Sequence, residues 1–280
     1  MASHKPKQSL RHRLLPPKEI VLPNGKKVFK QRSITPFIVI LVLIAVYYSV
    51  ELTGFKFSTL AKRGHEFFTI LIAMVPPRWT FFDSVIQPLV DTIKMSILGT
   101  VIGALLAIPT AMLASVNLTR NKAVSGAVKF LLSIIRTLPT LVSALILTYV
   151  FGLGTFAGTL AIALFTFSFI GKQLYEQIET VDMAPYEAME SMGANRLYSF
   201  LGAIRPQVLP SFLSVTLYTF EGNVRHAAIL GYVGAGGLGI ILNENIAWRQ
   251  YDKVGMILLA LFVTVAIIET ISRYLRKKLT

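Results

Sequence analysis

Along this chain long uncharged apolar runs alternate with short polar or basic stretches, and run length decides what each can be. A helix that crosses a bilayer needs about 20 apolar residues. Runs of that order lie at 34–52, 85–114, 127–151, 156–174, 208–233 and 254–274. They predict an all-α membrane protein with six transmembrane helices. One further run, Phe67 to Val75, is too short to cross, and Pro76-Pro77 stops it because neither ring can continue a helix. It is placed at the outer interface, where Trp79, Phe81 and Phe82 supply an aromatic anchor; a seventh crossing there stays open. The layout is a basic tail at 1–33, a first span within 34–54 and an interfacial segment at 55–84. A core follows at 85–274, with a loop at 182–206 inside it, and a short tail at 275–280.

Composition supports this layout. Charged residues are 15% of the chain, where a soluble domain carries about 25%, and mean hydropathy is +0.61. The net charge of +14 raises nucleic acid as a partner, but its distribution excludes it. Lys5, Lys7, Arg11, Arg13, Lys18, Lys26, Lys27, Lys30 and Arg32 precede the first span, and Arg273, Arg276, Lys277 and Lys278 follow the last. The positive-inside rule puts such clusters on the cytoplasmic side. An even number of spans then leaves both termini cytoplasmic in a multi-pass protein of the cell membrane, with lipid around it. The first 33 residues, with Pro6, Pro16, Pro17, Pro23 and Asn24-Gly25, read as a mobile tail. They make a poor signal peptide, because the positive region is too long. There is no cysteine, and the histidines at 4, 12, 65 and 226 lack ligand spacing, so neither a disulfide nor a metal site is expected.

The loop at 182–206 carries more chemistry than a connector needs. Tyr186, Glu187, Glu190, Asn195 and Arg196 are polar, while Ala188, Met189, Met192, Leu197 and Phe200 give two short helical pieces apolar faces. Gly193 permits a sharp break between them. Such a hook can present a knob to a groove on a partner. With Glu187-Ala188, Gly193 six residues after the glutamate and Pro206 thirteen further on, the loop resembles the EAA loop of ABC-importer permeases. The second alanine of that motif is Met189 here.

Gly234-Ala235-Gly236-Gly237-Leu238-Gly239 satisfies GxGxxG, but it follows a span rather than a strand, so a dinucleotide site is rejected. No GxxxxGK[ST] occurs, and any ATP must be hydrolysed by another chain. No catalytic constellation of Ser, His and Asp is found. Lys94, Arg136 and Arg225 sit in apolar surroundings, where a charge costs about 2.5–3.5 kcal/mol and usually faces protein or an aqueous path. For Lys94, snorkelling and a pair with Asp91 suffice. Arg136 lies mid-span beside Pro139. Glu221 and Arg225, four residues apart with Asn223 between, share a helix face toward the outer mouth. They are either a structural pair or the lining of an anion path, since guanidinium binds phosphoryl oxygens bidentately. Gly99, Gly103, Ala104, Ala107 and Ala111 form a small-residue packing stripe.

From about Thr92 to Arg273 the chain resembles the transmembrane core of type I ABC importers, most closely the phosphonate permeases. The resemblance is carried by Pro76-Pro77-Arg78-Trp79, Arg136-Thr137-Leu138-Pro139, the hook, and Glu221-Gly222-Asn223-Val224-Arg225 leading into the glycine-rich loop. It implies a pore made with a second permease chain, either a copy or a sister subunit. Two cytosolic ATP-binding subunits, which hold the ATP and Mg, and an extracytoplasmic substrate-binding protein complete the machine. Glu187, Ala188, Gly193, Ala194, Phe200 and Pro206 would couple to the ATPase. Arg136, Glu221, Asn223 and Arg225 would line the substrate path. Gly234, Gly236, Gly237 and Gly239 would form an outer gate or docking site. The substrate stays open among phosphonate, phosphite, phosphate and other oxyanions, with methionine- or betaine-type solutes as the alternative. An ion-coupled transporter or channel would need mid-membrane carboxylates, of which Glu221 is the single candidate.

Overall fold

A computed structural model describes residues 18–21, 25, 27–30 and 34–279. The chain divides into two compact units, residues 1–68 and 69–280. In the first, β1 (Lys18–Val21) and β2 (Lys27–Lys30) pair antiparallel, with Lys18 opposite Lys30. Part of the expected tail is therefore a hairpin. Asn-Gly between short β-prone runs is a hairpin signal as well as a turn signal. The basic residues Lys5, Lys7, Arg11, Arg13, Lys26 and Arg32 lie outside the described residues. Helix α1 (Thr35–Leu52) is apolar and has no buried residue, as a lipid-facing span requires.

Helix α2 (Phe57–Ala73) takes in Lys62, Arg63 and Glu66 as well as the apolar run, and it ends before Pro76. Its 17 residues give a rise of ~25 Å, short of a bilayer's ~30 Å hydrocarbon layer. In the second unit, α3 (Phe82–Ala114) is the longest element, with Pro88 and Pro109 inside it. It packs along α6 (Thr155–Thr180) through the small-residue stripe: Gly99, Gly103, Ala104, Ala107 and Ala111 are all buried. A Cβ on Gly103 would stand 2.6 Å from the Ala163 carbonyl oxygen and 2.7 Å from Thr166 Cβ. Glycine thus lets the two backbones meet where no side chain would fit. Thr92, Ser96 and Thr100 on the same helix return their hydroxyls to the carbonyls of Pro88, Thr92 and Ser96 at 2.6–2.8 Å, so their burial leaves no donor wasted.

The expected continuous span at 127–151 is a correction. It is two helices, α4 (Lys122–Thr137) and α5 (Thr140–Phe151), bent by 88° at Leu138-Pro139. The physical reason was present in the sequence. A residue before proline is driven out of αR, and Leu138 has ψ 122. The described residues therefore hold five helices long and apolar enough to cross, or six if the bent pair is one span. The remaining elements are α7 (Ala184–Ser191), α8 (Arg196–Ser199), α9 (Arg205–Leu230), α10 (Leu238–Ala247) and α11 (Tyr251–Leu279). A single π-turn, Phe200–Ile204, joins α8 to α9. The α3–α4 loop is fastened to the end of α6: Glu179 accepts from Val116 N at 3.0 Å and pairs with Lys129 at 2.8 Å, and Asn117 donates to Ile178 O at 3.1 Å. Arg78 and Asp252 pair at 2.6 Å and tie the entry of α3 to the start of α11.

Candidate functional site

Two sites emerge from these elements, one among the packed helices and one on the hook. Asn223 on α9 is 1% exposed, and its Nδ2 donates to Thr100 Oγ1 of α3 and Thr166 Oγ1 of α6, both at 2.8 Å. Both partners lie within uncharged runs, residues 95–114 and 155–171, so α9 meets them between apolar stretches of α3 and α6. Arg225 is two residues further along, about 3 Å by helical rise. It therefore lies within about one helical turn of that contact.

Glu221 is buried, with its side chain 6% exposed, whereas the Arg225 side chain is 50% exposed. The two are hydrogen-bonded. A third group joins them. Arg276, from the last turns of α11, brings Nη1 to 3.6 Å from Glu221 Oε2 and stacks over Tyr218 at 5.7 Å. One carboxylate thus faces two guanidiniums. Beside it a cavity of about 330 Å³ is lined by Phe165, Phe169, Tyr218, Thr219, Arg225 and His226, with Gly222 at its wall. The Phe165 and Phe169 rings stack at 5.8 Å, and His226 meets Phe165 edge-on at 5.7 Å. A half-exposed guanidinium over an aromatic wall offers donors to a small oxyanion and apolar surface to a short organic tail.

Glu221, Asn223 and Arg225 are brought together as the sequence suggests. Arg136 is not among them. It ends α4, is exposed, and lines neither this cavity nor an ion pair among the described residues. Arg276 was hidden in a basic cluster that topology already explained, and Thr100 and Thr166 carry no sequence signal beyond being polar within apolar runs. The pair expected between Lys94 and Asp91 is absent. Asp91 accepts instead from Gln87 Nε2 at 3.1 Å, and Lys94 is exposed. Among the described residues no group of His, Asp and Glu could hold a metal ion.

The glycine-rich segment is more embedded than an open docking loop. Ala235 and Leu238 are fully buried, Gly236 and Gly239 are buried, and Gly234 and Gly237 are half-buried. Gly234 O accepts from Gly154 N at 2.9 Å, and Leu238 N donates to Thr92 Oγ1 at 2.8 Å. The segment therefore clamps the α5–α6 turn and α3 to α9. Tyr232, 48% exposed, is what it shows outward.

The hook is a helix, a turn and a helix. α7 ends in a pair of bonds from Ala194 N to Met189 O at 3.1 Å and from Gly193 N to Glu190 O at 2.9 Å, with Gly193 at φ +90. This is a Schellman closure, which needs a left-handed residue at Gly193. Asn195 then caps α8, accepting from Tyr198 N at 2.9 Å. Phe200, Ile204 and Tyr186 are buried with Leu174, Ile178 and Val208, so the hook is rooted on α6 and α9. Burial, then the Glu190 carboxylate that accepts the phenol hydrogen bond, raises the Tyr186 pKa, while Arg196 and Arg120 act the other way. Outside the root, Glu187, Ala188, Gly193 and Pro206 are exposed, Ala194 is half-buried, and Met192 and Tyr198 stand 79% and 64% exposed. The knob is thus real, and its apolar tip is Met192, Leu197 and Tyr198.

Five helices long and apolar enough to cross a membrane, or six if the bent pair is one span, with a rooted hook between two of them, define a multi-pass membrane protein. Residues 99–280 match the family model described as binding-protein-dependent transport system inner membrane component, and the chain belongs to that family. It is 35% identical over 236 residues to the phosphite transport system permease protein PtxC of Stutzerimonas stutzeri, covering 84% of this chain and 85% of that one. It is 33% identical over 211 residues to the phosphate-import permease protein PhnE of Mycolicibacterium smegmatis, covering 75% of this chain and 40% of PhnE. Among solved structures, an inward-facing form of the MetNI methionine ABC transporter superposes with a TM-score of 0.63 at 20% identity, over 72% of this chain and 99% of that one. That likeness concerns the fold alone.

Proposed function

We propose that this chain is the permease of an ATP-driven importer for a small phosphorus oxyanion, phosphite, phosphate or phosphonate, working by alternating access. The observation that carries the reading is Arg225: a guanidinium on the span α9, half-exposed to a cavity and held by a buried carboxylate. A charge so placed needs an aqueous path or a partner's surface in front of it. A second permease chain, copy or sister, would supply the other wall. Two cytosolic ATP-binding subunits would hold ATP and Mg and grip the exposed Glu187–Ala188 face and the Met192 tip. An extracytoplasmic binding protein would deliver substrate to the face that bears Tyr232 and the glycine-rich segment. The half-exposed Arg225 guanidinium would attract an anion, and the Glu221 carboxylate it shares with Arg276 would keep that attraction weak enough for release.

Reconstituted with its ATPase and binding protein, the complex should take up phosphite or phosphonate and leave methionine and betaine outside. ATPase stimulation by methionine, with none by any phosphorus oxyanion, would remove the substrate reading and leave the permease reading intact.

Both termini and the hook are proposed to be cytoplasmic. The chain has no cysteine of its own, which makes labelling clean. A cysteine at exposed Asn195 should react only from the cytoplasmic side, and one at Tyr232 only from outside. Ala235, in the same outer segment, is 0% exposed and would report nothing. Reaction of both positions from one face would overturn the arrangement.

A further inference from the structure

Where α3 leaves the membrane, a second cavity of about 370 Å³ opens between the α3–α4 loop and the hook. Its floor is apolar, from Met112, Leu113 and Leu118, and its rim carries Arg120, Arg196 and Tyr186. Both arginines are exposed, and neither forms an ion pair among the described residues. Lys122, one residue beyond Asn121 at the start of α4, adds a third exposed positive charge nearby. Glu190 accepts from Tyr186 at 3.2 Å, and Glu179 is already engaged by Lys129 and Val116 N.

Depth says what such a cavity would meet. The uncharged run of α3 at 95–114 rises ~30 Å, the thickness of the hydrocarbon layer. The cavity lies just past its end, at headgroup level. Two guanidiniums without an ion pair among the described residues suit a phosphate oxyanion there, and the apolar floor beneath them suits the glycerol and first acyl carbons of an amphiphile.

We propose that this cavity is a phosphate-binding site on the cytoplasmic face, occupied by the headgroup of an anionic phospholipid, which braces the hook against the α3–α4 loop. It stands apart from the Arg225 cavity and rests on the cytoplasmic placement of the hook, which the Asn195 label tests separately. Because Arg196 opens α8 and Tyr186 roots α7, an occupant would touch both halves of the hook and the loop that α6 fastens. Lipid charge would then tune how firmly the hook is held.

The test uses the assembled complex, stripped of loosely held lipid and titrated with phosphatidylglycerol, with retained lipid counted by native mass spectrometry. Each basic residue near an anionic surface contributes about 1 kcal/mol, so Arg120→Gln with Arg196→Gln should weaken retention about 30-fold. Arg120→Lys with Arg196→Lys keeps the charge and should retain most of the binding, which separates a lost site from a damaged hook. Phosphatidylcholine should be retained equally by wild type and both variants. Inorganic phosphate distinguishes the sources: no displacement of phosphatidylglycerol at millimolar phosphate fits the headgroup, and displacement assigns the same site to a free cytosolic oxyanion. Equal retention of phosphatidylglycerol by the wild type and the Gln pair overturns the proposal.

Discussion

Glu221→Gln should lower the amount of folded complex in the membrane, whereas Arg225→Gln should leave yield near normal and lower uptake. Glu221 is buried and faces two guanidiniums, while Arg225 is half-exposed and faces a cavity. Taking the carboxylate away leaves the Arg225 guanidinium facing a neutral amide. Loss of one member of a buried pair costs about 3–5 kcal/mol, and the exposure of Arg225 trims this toward the lower bound. Taking Arg225 away leaves Glu221 still served by Arg276, so the core loses little. Uptake suffers instead, because the group that offers donors to the anion is gone. Yield by fluorescence-detected size exclusion, beside uptake per complex, separates the two. Equal yield losses with normal uptake per surviving complex would reduce Arg225 to a structural ion pair.

The outline of the fold was legible because bilayer thickness sets run length. Residues 34–52, 85–114 and 254–274 correspond to α1, α3 and α11 within a few residues. The failures share a cause. The rule that stopped α2 at Pro76-Pro77 also governs Leu138-Pro139, yet the apolar run there is continuous, and hydropathy does not register an 88° bend. The site was half legible. Glu221 and Arg225 show themselves by helical spacing, but Arg276 reaches Glu221 from 55 residues away across a helix–helix packing that no local pattern encodes. The glycine-rich segment was legible as a place of close backbone approach. Which backbone it approaches, the α5–α6 turn and α3, is a tertiary fact. The hook was the clearest of all, because capping is local chemistry: Gly193 and Asn195 act on amides within five residues of themselves.

That locality makes Gly193 the sharpest lever on transport. A Cβ at Gly193 would meet nothing within 4 Å, so Gly193→Val carries no clash. Its penalty lies in the backbone. At φ +90 a β-branched residue is an outlier, and the left-handed region costs an L-residue roughly 1–2 kcal/mol or more. Relief comes by abandoning the left-handed turn, which breaks the Ala194 N to Met189 O closure and swings α8 relative to α7. The root is untouched, since Tyr186, Phe200 and Ile204 pack elsewhere. Insertion and permease yield should therefore persist, while the population with a correctly set hook falls about 5- to 30-fold, and substrate-stimulated ATP hydrolysis falls with it. Gly193→Asn supplies the decisive comparison, because asparagine tolerates the left-handed region and should restore much of the coupling. If Val and Asn behave alike, either both normal or both dead, the left-handed turn is not what couples this pore to its ATPase.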